Sequence, residues 1–485
     1  MSHDGAVESR NYVAMAVGVA LLAVTIVVPP PAGLKPEAWL VAGVALMMAT
    51  WWITEALPIP ATALLPLVLF PLLGVVPIRN AAAPYADPII FLFLGGFIIG
   101  AGMQRWKLHE RIGLGVVARV GGHAGVSPAR LCGGFLLATA FLSMWISNSA
   151  TAIIMLPVAM SVLALLDRKG SIEPEIRRRL GLCLMLSVAY GASIGGLATL
   201  IGTPPNALLA AYLAREHQIV VGFAGWMIIG LPVAVVLLLV AWLVLVRMFP
   251  MPATLAGEAA DPIDGELKRL GPMQTPEFRV ALVFGLTAAA WITRPLFAGL
   301  VPGVDDTMIA LIGALLLFLL PSGDGHGSRL LDWSGLKNLP FDVLILFGGG
   351  LSLAAAISSS GLAEWIGQTL GGLSAWPVLL LIAVVTVAML FLTELTSNTA
   401  SAATFIPIGG AIAIGIGLDP AMLALPLALA ASCAFMLPVA TPPNAIVFSS
   451  GQITIGDMAR VGIWMNAISA VVIVAITYAL AGVLT

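Results

Sequence analysis

The residues in this chain best suited to chemistry are hydroxyls and amides, and they come in pairs. Ser147-Asn148-Ser149-Ala150-Thr151 is echoed by Ser397-Asn398-Thr399-Ala400-Ser401. Gly202-Thr203-Pro204-Pro205-Asn206 is echoed by Ala440-Thr441-Pro442-Pro443-Asn444. Each stretch lies inside an apolar segment, where a small polar side chain has no bulk water to bond. Segments 131–166, 180–214 and 338–459 contain no Lys or Arg, and the first two contain no Asp or Glu. Hydroxyl, amide and carbonyl oxygens suit a small hard cation such as sodium and lack the sulfur and imidazole that transition metals prefer. Helix N-termini offer free N–H groups and partial positive charge to a carboxylate or other oxyanion. An anion held there without Arg or Lys needs countercharge, which helix ends and co-bound cations would supply.

Other chemistries fit less well. A nucleophilic Ser147 or Ser397 would need a neighbouring base, and neither run holds a His, Lys or Asp, which weighs against an intramembrane hydrolase. Cys132, Cys183 and Cys433 lie unpaired in apolar runs and the five histidines lack ligand spacing, so no disulfide or transition-metal site is expected. Small polar residues in membrane helices often serve packing alone, but duplication favours a site for Asn148 and Asn398. Ser143 and Thr393 stand four residues before the SN serines, on the same helical face. Asn206 and Asn444 are expected to cap restarted half-helices. Glu55 and Glu394 are intramembrane acids, a class with proton-coupling potential; bonding to nearby backbone ends is the preferred reading.

Composition says what must position these groups. The chain has 485 residues, 60% hydrophobic and only 9% charged, against about 25% charged in soluble domains. It is a polytopic all-α membrane protein, and its net charge of −2 leaves no basic excess for nucleic acid. The run 12–28 ends at Pro29-Pro30-Pro31 without a small-x-small site, so it is a first transmembrane helix rather than a removed leader. Further spans are expected near 38–54, 61–76 and 88–118, the last interrupted near Gln104 to Lys107.

The run 128–166 is nearly twice the roughly 20 residues that cross a bilayer. It fits a re-entrant hairpin with its tip at Ser147–Ser149. The next helix, 180–214, must break at Gly202 to Pro205, because adjacent prolines remove donors and clash with the preceding turn. The second half repeats the plan. Phe347-Gly348-Gly349-Gly350 answers Leu94-Gly95-Gly96, and Leu362-Ala363-Glu364-Trp365-Ile366-Gly367 answers Leu108-His109-Glu110-Arg111-Ile112-Gly113. A second hairpin follows at 377–413, then a broken helix at 420–450.

Placing the N-terminus in the cytoplasm leaves all but Lys35, Arg79, Arg215 and Arg294 of the 22 basic residues on the cytoplasmic side. The two hairpins then enter from opposite faces of the inner membrane, as an inverted repeat. The expected division is 1–87 scaffold, 88–127 arm, 128–215 transport core, 216–249 scaffold, 250–277 cytoplasmic linker, 278–340 scaffold, 341–376 arm, 377–450 transport core and 451–485 scaffold.

The paired SN and TPPN stretches, with Trp52-Ile53-Thr54-Glu55-Ala56-Leu57-Pro58-Ile59-Pro60, resemble the motifs of the divalent anion/sodium symporters, a family of dicarboxylate, citrate and sulfate carriers. The likeness runs over nearly the whole chain in the same order. It implies about eleven transmembrane helices, a homodimer and elevator-like movement. It also implies two sodium sites, with sodium as cargo and no organic cofactor. One site would use Ser143, Ser147, Asn148 and the backbone at Gly202. The other would use Thr393, Thr396, Asn398 and the backbone at Ala440. The anion would meet Asn148, Ser149, Thr203, Asn398, Thr399, Thr441 and Pro442. The family usually carries threonine where this chain has Ser149, which bears on pocket shape more than on cation coupling. The implied activity is sodium-coupled symport of a C4-dicarboxylate. The alternatives are sulfate, citrate or sodium-independent exchange on the same fold, or a channel or arsenite-type carrier of related architecture.

Overall fold

The computed structural model describes residues 3–121, 127–166, 173–254, 262–325 and 327–480. Helices and the turns between them make up these residues, apart from one isolated bridge between Pro321 and Arg329. Five pieces come first: α1 (His3–Val27), α2 (Pro36–Thr54), α3 (Ile59–Thr62), α4 (Leu65–Leu72) and α5 (Ile78–Ala82). The arm follows as α6 (Pro88–Arg105) and α7 (Leu108–Gly121). The single helix expected over 61–76 is instead split between α3 and α4. Pro60 and Pro66 each sit at a helix start, where the missing N–H costs nothing.

The first hairpin is α8 (Pro128–Ser143) and α9 (Asn148–Leu166), and the broken helix is α10 (Pro174–Leu197) and α11 (Pro204–His217). Both interruptions fall where the SN and TPPN motifs stand. α12 (Phe223–Met248) crosses next, followed by α13 (Pro262–Leu270), α14 (Thr275–Phe297) and α15 (Asp306–Leu319). The polar linker therefore contains a short helix that hydropathy alone does not reveal. The second repeat runs α16 (Phe341–Ser360), α17 (Leu362–Thr369), hairpin α18 (Val378–Thr393) and α19 (Asn398–Gly415), and broken helix α20 (Ala421–Ala431) and α21 (Pro442–Phe448). α22 (Ile455–Leu480) is the last helix. Among the described residues eight helical stretches are long and apolar enough to cross a membrane, and six shorter apolar helices accompany them, among them α8, α18 and α20.

α10 sits at the centre, with its 18-residue apolar window wholly buried in protein. Lipid tails are as apolar as leucine, so close backbone approach, not hydrophobicity, holds such helices together. Glycines on α10 allow it. A Cβ on Gly195 would lie 2.2 Å from Ala140 O, and one on Gly191 2.7 Å from Leu136 O, both on α8. The second repeat has its own close approach, Gly367 of α17 against Gly415 of α19.

α12 and α22 are tied to this core. Trp226 and Trp242 of α12 donate to Leu197 O and Ala129 O, each at 2.9 Å. Asn466 of α22 donates to Glu394 at 2.7 Å. These bonds attach two helices expected in the scaffold to the hairpin and broken-helix unit.

Candidate functional site: two hairpin tips and two helix breaks

At the first tip, the Ser143 hydroxyl lies 2.7 Å from both Ala192 O and the Asn148 amide. The second tip reproduces this. Thr393 Oγ1 lies 2.7 Å from the Asn398 amide oxygen and 2.9 Å from Ala431 O. In both repeats, the residue ending the first hairpin helix and the asparagine starting the second converge on a carbonyl of the neighbouring broken helix. The sequence pairing of Ser143 with Thr393 and Asn148 with Asn398 is thus a spatial pairing.

The Asn148 amide has two orientations with different meanings. With nitrogen inward, it donates toward Gly202 O at 3.2 Å, Ala192 O at 3.1 Å and Ser143 Oγ at 2.7 Å. With oxygen inward, it faces those oxygens alone, and a single Ser143 proton cannot satisfy them all. Four converging oxygens in a buried site are costly unless a cation joins them. Nitrogen inward satisfies the site by itself; with oxygen inward, the hydroxyl, amide and carbonyl oxygens are of the kind that suits a hard cation such as sodium and offer nothing soft. Among the described residues there is no cluster of His, Cys, Asp or Glu for another metal.

The remaining expected residues divide. Ser147 and Ser397 accept from the N–H of Ala150 and Ala400, so they cap α9 and α19. Thr396 bonds Leu392 O and the Ser401 hydroxyl rather than the Asn398 cluster. Ala440 is buried at the second break, its N–H on Leu437 O at 3.2 Å. Ser149 and Thr399 are half-buried at the two tips, and Pro442 is exposed beside buried Thr441. Thr203 Oγ1 lies 3.3 Å from Ser432 Oγ of the other repeat, so the two breaks meet. The Tyr190 hydroxyl also crosses between repeats, donating to Phe435 O at 3.2 Å.

Three expectations change. Asn206 and Asn444 do not cap. Their amide nitrogens donate backwards across the breaks, to Gly196 O and Thr199 O in one repeat and to Ala434 O and Leu437 O in the other. They staple the end of one half-helix to the start of the next, and Thr441 takes the capping role at α21. Glu55 is exposed at the left-handed C-cap of α2 (φ 51°), where its backbone N–H bonds Trp51 O. The bond at this helix end is made by its backbone N–H and not by its carboxylate.

Glu394 fulfils its expectation. It is buried, and its carboxylate accepts from the N–H groups of Phe435, Met436 and Leu437 at 2.8 to 3.2 Å, and from Asn466. The two carboxyl oxygens thus replace the missing helix acceptors of the second break. The first repeat has Met144 at the matching position, whose carbonyl accepts from Thr199. The sequence did not point to Asn466 or Ser432, because each bonds to a partner far away in the chain.

A cavity of about 540 Å³ opens beside the first tip. Gly96, Gly100, Gln104 and Arg105 of α6 line one side, Trp145, Ile146, Ser147 and Ala150 a second, and the segment Leu331 to Pro340 a third. At the tips themselves the packing is unequal. Ile201 is buried, and a Cβ on Gly96 would lie 3.3 Å from it, whereas its counterpart Val439 is 82% exposed. Leu395 is 72% exposed, whereas its counterpart Trp145 packs against Phe223 and Phe284.

Comparison with known proteins is consistent with this geometry. A sodium-dependent dicarboxylate transporter (SdcS) of Staphylococcus saprophyticus is 42% identical, over 97% of this chain and 92% of that protein. SdcS of Staphylococcus aureus is 40% identical over 97% and 91%. Among solved structures, MtrF of Neisseria gonorrhoeae has a TM-score of 0.57 at 14% identity, covering 96% of this chain and 94% of that one. YdaH of Alcanivorax borkumensis has a TM-score of 0.57 at 13% identity, covering 90% and 98%. At those identities the likeness is one of fold. The family described as the sodium:sulfate symporter transmembrane region matches residues 9–484, and the chain belongs to it.

Proposed function

We propose that this protein couples the entry of a C4-dicarboxylate, such as succinate, malate or fumarate, to sodium. The observation that carries this is the twin cluster of neutral oxygens at Ser143–Asn148 and Thr393–Asn398, in a core free of Lys and Arg. The SdcS relatives, named as sodium-dependent dicarboxylate transporters, favour this cargo over sulfate or citrate.

Sodium would bind at the two clusters, drawing the Asn148 oxygen inward and fixing both tips. The carboxylates would then meet Asn148 and Ser149 on one side and Asn398 and Thr399 on the other, with Thr203, Thr441 and Pro442 completing the pocket. Cation and anion would thus bind in mutual dependence, because each offsets the charge of the other in a medium where neither is cheap alone.

The loaded core would move as one body. We include α12 and α22 in it, since Trp226, Trp242 and Asn466 bond to core elements. The unequal packing of the tips supports sliding. In an inverted repeat, a state that covers the first tip and bares the second implies a partner state with those roles exchanged. The basic-residue count favours a cytoplasmic N-terminus in an inner membrane.

The test is uptake of labelled succinate by proteoliposomes with and without an inward sodium gradient, with malate, citrate and sulfate as competitors. Accumulation dependent on sodium and blocked by malate is expected. Equal uptake without sodium would remove coupling, and competition by sulfate alone would remove the dicarboxylate.

A further inference from the structure

The cavity beside the first tip has one cationic group on its wall, Arg105. Its surroundings set it in place. Nη1 donates to Asp332 Oδ2 at 2.6 Å, and the guanidinium carbon lies 5.8 Å from the centre of the Trp106 ring. Trp106 is itself fixed, with its indole N–H on Leu330 O at 2.7 Å. Asp332 has no freedom to leave, since its other oxygen accepts from the Ser334 hydroxyl and from Gly335 N–H. Those bonds, led by the one from Ser334 and then that from Arg105, push its carboxyl down to about 2, so it stays ionised. Gly335 leaves room beside the guanidinium: a Cβ there would lie 2.9 Å from Leu331 Cδ1 and 3.7 Å from Nη1.

Arg105 is therefore held by one bond and has more to give. A guanidinium carries five N–H donors in a planar fork that matches a carboxylate. Among the described residues, Asp332 is the one hydrogen-bond partner of its side chain. The neighbouring cavity wall adds neutral donors at Gln104 and Asn338, and the same space extends to Ser147 at the hairpin tip.

We propose that Arg105, held by Asp332, is a transit site for one carboxylate of the cargo, outside the pocket between the tips and on the route to it. The site rests on the transport reading above and adds to it the recognition of a carboxylate between the pocket and the cytoplasmic face, the side on which the basic-residue count places Arg105. The Arg105–Asp332 pair has no net charge, so the anion gains directional hydrogen bonds without a deep electrostatic well. A site on a transport route must hold cargo firmly enough to collect it and weakly enough to release it. The cavity reaches only the first tip, so the effect belongs to one face of the membrane.

Succinate transport would be measured in right-side-out and inside-out vesicles for the wild type, Arg105→Gln, Arg105→Lys and Asp332→Asn. Arg105→Gln is expected to raise KM about 5–10-fold at the face onto which the cavity opens, with the maximal rate and the opposite-face KM nearly unchanged. Arg105→Lys should lie between Arg105→Gln and the wild type. Asp332→Asn should lower KM at that same face, because it frees the fork. A purely structural ion pair would make Arg105→Gln and Asp332→Asn equally harmful, at both faces. That outcome, or an unchanged KM for Arg105→Gln at both faces, overturns the proposal. If Arg105→Gln does not fold, Asp332→Asn decides alone: a raised KM overturns the site and a lowered one supports it. Sodium-independent transport by the wild type would count against coupling and leave the docking site standing. Absence of succinate transport in the wild type would overturn both readings.

Discussion

Glu394 places a carboxyl group in the core, and its stability there comes from geometry. Three successive N–H groups and Asn466 converge on it. Removing it leaves those donors buried and unpaired, at about 1–3 kcal/mol each. Glu394→Ala should therefore cost several degrees of melting temperature in detergent, and Glu394→Gln less, because an amide oxygen still accepts part of the set. Equal melting of Glu394→Ala and wild type would mean the cradle adds nothing. Asn148 and Asn398 make a different kind of residue-scale claim. Replacing either by alanine removes an amide from an oxygen cluster already closed by a serine or threonine. We expect uptake to vanish while expression and melting stay near wild type, as measured by sodium-driven succinate uptake and size-exclusion chromatography.

At the scale of elements, the hairpins and broken helices depend on close backbone contact. α10 is wrapped on all sides, and Gly195 packs against the backbone of α8 at Ala140. A side chain there would have to displace main chain, which a packed membrane bundle resists. Gly195→Leu should abolish recovery of monodisperse protein, while Gly225→Ala, where nothing lies within 4 Å of the added Cβ, should be tolerated. The same scale separates what could be read from what could not. The motifs placed both tips and both breaks, since the adjacent prolines of each TPPN stretch are favoured at a helix start, where Pro204 and Pro442 in fact stand. The roles of Asn206 and Asn444 were misread, because capping and stapling use the same residue in the same position. Only the positions of the carbonyls across the break distinguish them.

For the whole molecule, the asymmetry between tips is the most informative feature. Ile201 is buried and Val439 exposed, though they occupy equivalent places in the two repeats. A sliding core would exchange these environments, through a population shift between two packed states. Cysteine substitution provides the measurement. Val439→Cys should react readily with a maleimide, and Ile201→Cys should become reactive only under conditions that drive turnover, with sodium and succinate together. Constant reactivity at both positions would argue against exchange of the tips.

The amino-acid sequence by itself determined the membrane setting, the doubled plan and the neutral character of the site. Those properties reside in composition and local order: long apolar runs, paired motifs and the absence of Lys and Arg around them. Tertiary structure decided everything that depends on two distant segments meeting. It brought Thr203 to Ser432 across the repeats, gave Glu394 its three N–H groups and Asn466, attached α12 and α22 to the core, and set Arg105 against Asp332 at the mouth of a cavity. A single residue type is compatible with many partners, and which of them it meets is fixed only when the helices pack.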